Sequence, residues 1–302
     1  MRETSRRDFL KATAAGAGLL ASAPRPFGRP LQRGSRGAPF LEIGVCTTLS
    51  NASVLEAAGC AYLEEGVGAF LAPEEPDDKF ASRLEAAKSS KVPIRACSGF
   101  LPGTLKAVGP AAKHEEIQAY AATAFRRAAL AGIAAIVWGS GESRRIPEGF
   151  GKAQAEEQFC ALAKAVAAAA GNSGILLILE PLNAGETNFL NSLREGAAMV
   201  DAVGHPNFKL LADFYHVIRS GETPDDVVKH GPLIRHCHIA ENEKRTPPGT
   251  AGDDFRPFLK ALKKIGYRGR LSMECRWDDL KAQLPGAAAS LKKQITEAEA
   301  GA

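Results

Sequence analysis

The amino-acid sequence predicts an α/β fold, a single closed (β/α)8 barrel in which eight parallel strands alternate with helices. Short apolar runs bounded by Gly or Pro recur eight times along the chain, and a helix-like segment follows each of them. The last four runs each end in a carboxylate or an imidazole. The length of 302 residues accommodates one such barrel, which commonly needs about 250 residues.

The predicted elements follow one another at the spacing of one strand plus one helix. Strands are predicted at 41–46, 60–65, 92–97, 133–138, 174–180, 208–213, 233–239 and 270–275. Helices are predicted at about 51–58, 79–90, 112–131, 152–170, 190–203, 223–230, 252–265 and 278–297. A doubly wound sheet is the structural alternative, but it requires a glycine-rich turn after the first strand, where this chain has CTTL.

The first 40 residues differ in composition from the rest. The segment SRRDFLK resembles a twin-arginine export signal, because paired arginines precede a weakly apolar stretch that is too short to span a bilayer stably. A basic helical cap is the alternative. We predict a signal peptide at 1–23, a flexible segment rich in Pro, Gly and Arg at 24–40, and a barrel catalytic domain at 41–302. Such a signal implies a periplasmic or extracellular protein.

The basic character of the chain belongs to this leader. Residues 1–40 carry eight basic and two acidic residues, which leaves 30 basic and 32 acidic residues, a net charge of −2, in the remainder. A nucleic-acid partner needs a basic surface, so the sequence argues against one. The six cysteines form no CxxC pair, and four lie in or beside predicted strands, so we expect free thiols rather than disulfides.

Four residues that end successive apolar runs are the candidate functional residues. They are Glu180, Asp213, His238 and Glu274, with gaps of 33, 25 and 36 residues between them. In a closed barrel such strand ends converge on one face, where active sites of this fold lie. Three carboxylates and one imidazole suit Mn²⁺, Mg²⁺ or Co²⁺ better than a structural zinc ion. A polar residue where a strand re-enters water is the alternative explanation.

The motifs around these residues are EPLN at 180–183, DFYH at 213–216, HCH at 236–238 and the terminal Glu274. In this combination residues 41–297 resemble the xylose-isomerase-like barrel superfamily of sugar isomerases and epimerases, in particular the branch of hydroxypyruvate isomerase and the ketose 3-epimerases. The resemblance implies that Glu180, Asp213, His238 and Glu274 bind one divalent metal ion.

The same resemblance implies substrate contacts from Glu186 and His216. It also implies an arginine shortly before a PPG-like turn after the seventh strand, which is Arg245 if the turn at 247–249 is the anchor. Counting forward from His238 without a gap selects Lys244 instead, so the sequence leaves both alternatives open. Members of the family are often homo-oligomers, and no surface pattern in this sequence decides the state.

The predicted function is a divalent-metal-dependent sugar isomerase or epimerase. A carboxylate removes the α-hydrogen of a keto sugar only if the carbonyl is polarised, and a bound cation supplies that polarisation and stabilises the cis-enediolate. Glu180 and Glu274 are the candidate acid and base, one removing and the other returning a proton. The substrate is expected to be a small sugar or glycoside.

Three other functions remain as alternatives. A lyase or dehydratase acting on inosose or keto-glycoside substrates would use the same enolate to expel a substituent. A DNA-cleaving relative of this barrel needs further metal ligands on strands two to four. Glu64 or Glu65 could supply one, but the third and fourth strands end in Cys97 and Trp138. A non-catalytic carbohydrate-binding barrel would not need all four ligand residues.

Several neighbouring residues have two interpretations each. His236 shares its strand face with His238 and is either a partner of the metal ligands or a core histidine. Trp138 and Phe100 either line the sugar site or pack in the core. Arg144 and Arg145 either bind an anionic substrate or are solvated.

Overall fold

The computed structural model describes residues 40–300. The predicted signal peptide at 1–23 and residues 24–39 of the predicted flexible segment lie outside the described residues. Phe40, the first residue of the described part, is buried against the barrel. Within this part, no helix is both long and apolar enough to cross a membrane.

Eight parallel strands form a closed barrel, each hydrogen-bonded to its neighbours in chain order. They are β1 (Glu42–Cys46), β2 (Tyr62–Gly66), β3 (Ile94–Ser98), β4 (Ala135–Trp138), β5 (Leu176–Leu179), β6 (Phe208–Asp213), β7 (Ile234–Ile239) and β8 (Arg270–Met273). The register closes through β1 and β8, where Gly44 lies opposite Ser272. The predicted barrel and all eight predicted strands are confirmed.

The helices lie outside this barrel. They are α1 (Ala52–Ala57), α2 (Asp77–Lys88), α3 (His114–Leu130), α4 (Gly141–Arg144), α5 (Lys152–Asn172), α6 (Leu193–Val203), α7 (Phe214–Arg219), α8 (Pro224–His230), α9 (Arg256–Lys264) and α10 (Leu280–Ala300). The short helices α4 and α7 were not predicted. Helix α7 follows β6 without a loop because Asp213 ends the strand and also caps the helix, accepting a hydrogen bond from the Tyr215 amide at 2.9 Å.

Side chains alternate between two cores along each strand. Small and branched residues, among them Ala135, Val137 and Ile178, fill the interior of the barrel, whereas their neighbours pack outward against the helices. Trp138 belongs to the outer core: its ring lies 4.7 Å from that of Phe159, centroid to centroid. Phe100 packs edge-on against Trp138 at 5.5 Å. Both are fully buried, so these aromatic rings are core residues and do not line a sugar site.

The interior of the barrel also contains polar side chains, from β2 and β8. Tyr62 points inward from β2 and its hydroxyl shares a hydrogen bond with the Ser272 hydroxyl at 2.7 Å. A Cβ atom at Gly44 would lie 2.3 Å from the Tyr62 ring, so glycine on β1 is required for this ring to fit. All six cysteines are free, as the sequence predicted.

A buried arginine holds the segment between β2 and α2. The Arg127 side chain, 1% exposed on α3, donates to the carbonyl oxygens of Leu71, Ala72 and Glu75 and to the Asp77 carboxylate. If the guanidinium is removed, the buried Leu71 carbonyl loses its donor and the buried Ala72 carbonyl keeps only the Glu75 amide.

We expect Arg127→Ala to lower the free energy of unfolding by about 1–3 kcal/mol, because it leaves the buried Leu71 carbonyl without a donor. Arg126→Ala is the matched control, since Arg126 is half-exposed and contacts only the same Asp77 carboxylate. Surface pairs contribute little, so the control keeps nearly all of its stability. Urea titration followed by circular dichroism measures both; equal losses would contradict the assignment.

Candidate metal centre and active site

The four strand-end residues predicted from the sequence meet at the carboxyl end of the barrel. One ligand atom from each of Glu180, Asp213, His238 and Glu274 lies within 4.8 Å of the other three. His238 Nδ1 lies 3.2 Å from Glu180 Oε1 and 3.1 Å from Glu274 Oε2. Glu180 and Glu274 each follow the last residue of their strand, and their backbone amides stay bonded to the neighbouring strand. Four separate strands therefore deliver one cluster.

This cluster fits a divalent cation. Glu180, Asp213 and His238 are buried, and burying several carboxylates at one point is unfavourable without a compensating positive charge. The donor set of carboxylate oxygens and one imidazole nitrogen is typical of hard and borderline divalent ions. A Cβ atom at Gly139 would lie 2.3 Å from Glu180 Oε2, so glycine after β4 leaves the space that this carboxylate occupies. The Cys46 thiol also lies beside His238 and Glu274.

A buried carboxylate from β2 lies beneath His238. Glu64 Oε1 lies 3.1 Å from His238 Nε2, and Glu64 Oε2 accepts hydrogen bonds from His236 Nε2 at 2.7 Å and from Ser272 Oγ at 2.6 Å. Of the two interpretations of His236, the structure supports a partner of this network. Sequence reasoning considered Glu64 only as a nuclease ligand. The sequence YLEEG carries part of the signal: period-two alternation places Tyr62 and Glu64 on one face of β2, and the register decides that this face points inward.

The ionisable groups of the cluster have strongly shifted pKa values. Burial by itself would raise the pKa of Glu64, but His238 and His236 hold it well below its usual range. Burial by itself would lower the pKa of His238, but Glu64 and other nearby anionic groups raise it well above the usual value. Burial, with Glu274 nearby, raises the pKa of Glu180. Burial raises the pKa of Asp213 to about 6.

The loop after β7 places an arginine, not a lysine, in the site. One guanidinium nitrogen of Arg245 lies 2.5 Å from Glu274 Oε2 and 3.3 Å from Asp213 Oδ2, and the other lies 3.5 Å from Glu186 Oε1. The Lys244 side chain is 81% exposed and pairs with Glu243 instead. Both residues have left-handed backbone conformations, with φ of 53° and 60°. Of the two alternatives, Arg245 is the one that reaches the cluster.

A buried glutamate shapes this loop. The Glu241 carboxylate is fully buried and accepts hydrogen bonds from the loop that follows it. The donors are the backbone amides of Gly249, Ala251, Gly252 and Asp253 and the hydroxyl of Thr246. The loop therefore wraps around one carboxylate, and this wrapping fixes the turn that carries Arg245. Sequence reasoning did not identify Glu241 as a functional residue.

His216 and Glu186 lie beside the cluster, where the resemblance placed them. His216 Nε2 is 3.5 Å from Asp213 Oδ2 and 4.0 Å from Glu186 Oε2. The His216 side chain is 3% exposed, and burial lowers its pKa. On the opposite edge of the imidazole, Nδ1 accepts hydrogen bonds from Asn183. The structure thus brings all seven predicted site residues together.

The two arginines after β4 bond to neighbouring parts of the protein. Arg144 is fully buried, and its guanidinium donates to the backbone oxygens of Trp138, Glu180 and Phe189. Burial lowers the pKa of Arg144 to about 10. Arg145 pairs with Glu142 and also donates to the backbone of the Glu186 loop. The suggestion that Arg144 binds substrate or is solvated is therefore wrong, because its donors support the strand ends.

These features define a (β/α)8 barrel with a candidate metal centre at the carboxyl ends of its last four strands. The family model described as the xylose isomerase-like TIM barrel matches residues 53–296. The chain belongs to this family, as the motifs of the sequence indicated.

Individual relatives match shorter stretches of the chain than the family model does. The L-ribulose 3-epimerase of Methylomonas sp. (strain DH-1) is 39% identical over 106 residues, which are 35% of this chain and 37% of that protein. A putative hydroxypyruvate isomerase of Mus musculus is 30% identical over 141 residues, 44% of this chain and 51% of that protein. The matches thus span between about a third and a half of these relatives.

Solved structures show the same fold over most of the chain. The 3-keto-D-glucoside 4-epimerase of E. coli superimposes with a TM-score of 0.69 at 19% identity, covering 85% of this chain and 99% of that one. A D-allulose 3-epimerase from Methylomonas sp. in complex with D-allulose gives 0.69 at 24% identity, covering 84% and 97%.

We expect Glu241→Gln to loosen the Arg245 loop, because an amide has one acceptor oxygen where the carboxylate has two and leaves loop N–H groups unpaired, at about 1–3 kcal/mol each. Hydrogen exchange followed by mass spectrometry should become faster in the 249–253 segment. Glu243→Gln is the control in the same loop, since the Glu243 side chain is 67% exposed and its carboxylate contacts only Lys244. Unchanged exchange in Glu241→Gln would refute the role.

Proposed function

We propose that the protein is a divalent-metal-dependent sugar isomerase or epimerase. The observation that carries this proposal is that Glu180 and Glu274, from β5 and β8, converge on the same nitrogen of His238. Two carboxylates that face one point from different strands suit the removal and return of a proton at one carbon. The names of the relatives, sugar epimerases and hydroxypyruvate isomerases, agree with this chemistry.

Glu180, Asp213, His238 and Glu274 would hold the metal ion, with Mn²⁺, Mg²⁺ or Co²⁺ as the candidates. When bound, the ion polarises the sugar carbonyl and offsets the negative charge that develops as the neighbouring C–H bond is broken. His238 presents Nδ1 to the cluster because Nε2 is directed at Glu64. Glu64 therefore orients a proposed ligand without being one.

The protein side chains would carry the proton. One of Glu180 and Glu274 removes the α-hydrogen as H⁺, and the C–H electron pair moves toward the carbonyl oxygen. Return of a proton to the same carbon from the other carboxylate gives the epimer. Delivery to the adjacent carbon gives the aldose or ketose isomer, once the proton of the neighbouring hydroxyl has moved to the former carbonyl oxygen. Arg245 contacts Glu274 at 2.5 Å, which keeps this carboxylate ionised: burial would raise its pKa, but His238 and Arg245 lower the value to about 2.

Glu186, His216 and Arg245 are proposed to contact the hydroxyl and carbonyl oxygens of the sugar. They lie side by side at the edge of the cluster, with Glu186 and Arg245 partly exposed. We also propose that the protein is exported, because the SRRDFLK segment and the apolar stretch after it resemble a twin-arginine signal.

We expect the protein to incorporate deuterium next to the carbonyl of a substrate sugar in D₂O. A panel of aldoses, ketoses and keto-glycosides should be incubated with the protein and Mn²⁺, and in parallel after chelation. Mass spectrometry and NMR should show incorporation only with metal. Glu274→Gln should slow it by at least about 100-fold, since a positioned acid or base contributes about 10²–10⁴-fold.

The exposed variant Glu243→Gln is the control and should exchange at the wild-type rate. Absence of incorporation across the panel would contradict the proposal. A product of lower mass or with a new double bond would indicate elimination, the chemistry of a lyase, in place of isomerisation.

We expect Glu64→Gln to weaken Mn²⁺ binding by about 10- to 100-fold, because it removes the anionic acceptor that orients His238. The dissociation constant is measured by competition with a chelator, and circular dichroism verifies folding. Glu65→Gln is the matched control: Glu65 is the next residue on β2, but its carboxylate accepts from the Leu49 amide and does not touch His238. Equal affinities of Glu64→Gln and wild type would show that the histidine is oriented by something else.

A further inference from the structure

The Asn183 side chain has one orientation that satisfies its surroundings. Its Oδ1 accepts a hydrogen bond from the Gly185 amide at 2.9 Å, and its Nδ2 lies 3.2 Å from Glu186 Oε1. The reversed amide would place NH₂ against the Gly185 N–H and an oxygen against the Glu186 carboxylate. Asn183 is 4% exposed, so water does not compensate for such a mismatch. Its NH₂ group therefore faces His216 and Glu186.

This orientation fixes the proton on His216. Nδ1 of the imidazole is 2.8 Å from Asn183 Nδ2 and 3.2 Å from the Asn183 backbone nitrogen. Both of these groups are N–H donors, so Nδ1 must present its lone pair. A neutral imidazole with a bare Nδ1 carries its proton on Nε2. Asn183 thus supplies two donors from one residue to the same ring nitrogen.

The proton on Nε2 has no acceptor in the described part of the chain. His216 Nε2 is buried without a hydrogen-bond partner there, and the nearest carboxylate oxygens, of Asp213 and Glu186, are 3.5 Å and 4.0 Å away. Buried N–H groups are nearly always paired, so an unpaired one that borders a cluster of functional groups indicates a ligand that completes it. The group that would complete it is a hydrogen-bond acceptor between Asp213 and Glu186.

We propose that Asn183 is a positioning residue that holds His216 as the neutral Nε2–H tautomer, so that His216 donates a hydrogen bond to a substrate oxygen. That the oxygen belongs to a sugar rests on the proposed function; the tautomer does not. With its lone pair directed at Asn183, His216 has no free base facing the substrate and does not remove the α-hydrogen. It is an electrophile that stabilises negative charge on oxygen.

The variant Asn183→Asp tests this assignment. Asp has the same shape and keeps the Oδ1 acceptor for Gly185, but it replaces the donor facing Nδ1 by an acceptor. We expect the proton to move to Nδ1, where it bonds to the new carboxylate, leaving Nε2 as a bare acceptor. Asn188→Asp is the matched control: Asn188 lies in the same loop and is exposed, and its amide bonds only to the Ile146 backbone.

The tautomer is read by ¹⁵N NMR of the full-length protein with labelled histidine, the His216 signals being assigned by their loss in His216→Gln. Wild type and Asn188→Asp should show the proton on Nε2, and Asn183→Asp should show it on Nδ1. Nδ1-protonated or doubly protonated His216 in the wild type at neutral pH would overturn the proposal, whether or not the variant folds. A bare Nδ1 with the proton still on Nε2 in folded Asn183→Asp would also overturn it.

The kinetic effect separates this role from a structural one. On any substrate found by deuterium exchange, Asn183→Asp should lower kcat by about 100-fold, the loss that follows removal of one donor to a developing oxyanion, with a smaller change in KM. Asn188→Asp should match the wild type. Equal kcat values for Asn183→Asp and wild type would overturn the proposal. Because the NMR measurement needs no substrate, failure of the proposed function would leave the tautomer assignment standing.

Discussion

The buried carboxylate of Glu64 is the interaction on which the site depends. An ionised group inside a barrel is tolerated only if its oxygens are paired, and here His236, His238 and Ser272 pair them. These partners come from β7 and β8, which are neighbours of each other but not of β2, so the contact ties the barrel together across its interior. It also decides which edge of the His238 ring faces Glu180 and Glu274. The geometry of the cluster therefore depends on the network that Glu64 forms beneath His238.

Two other buried charged side chains, Arg144 and Glu241, hold the backbone that follows the strands. Arg144 collects carbonyl oxygens at the ends of β4 and β5, while Glu241 collects amide hydrogens in the loop after β7. Arg144 is cationic because it donates to unpaired carbonyl oxygens, and Glu241 is anionic because it accepts from unpaired N–H groups of irregular backbone. Arg144 thereby positions Glu180, and Glu241 positions the loop that carries Arg245. The loops of the site are thus ordered by charge as well as by packing, which keeps functional side chains precise on segments without regular structure.

The sequence was sufficient for the barrel and for the cluster because both follow from periodicity. Strand ends recur at regular intervals, and a closed barrel brings them to one face. Glu64 was not recognised because YLEEG offers two adjacent glutamates, and only the register of β2 decides which one points inward. The ambiguity between Lys244 and Arg245 arose because two successive left-handed residues are usually Asn, Asp or Gly, and neither residue announces such a turn. The role of Arg144 was wrongly predicted because the sequence does not distinguish a buried arginine that bonds to carbonyl oxygens from one that is surrounded by water.

The two histidines of the site illustrate how a single side chain type acquires opposite roles from its partners. His238 has an anionic acceptor, Glu64, behind it, which keeps the rear nitrogen protonated and turns the front nitrogen toward the cluster as a prospective ligand. His216 has two donors from Asn183 behind it, which keeps the rear nitrogen bare and leaves a proton on the front. One ring is set to give an electron pair and the other to give a hydrogen bond. The difference lies in the residue behind each ring, Glu64 for His238 and Asn183 for His216. The identity of that residue therefore carries more information about mechanism than the presence of the imidazole itself.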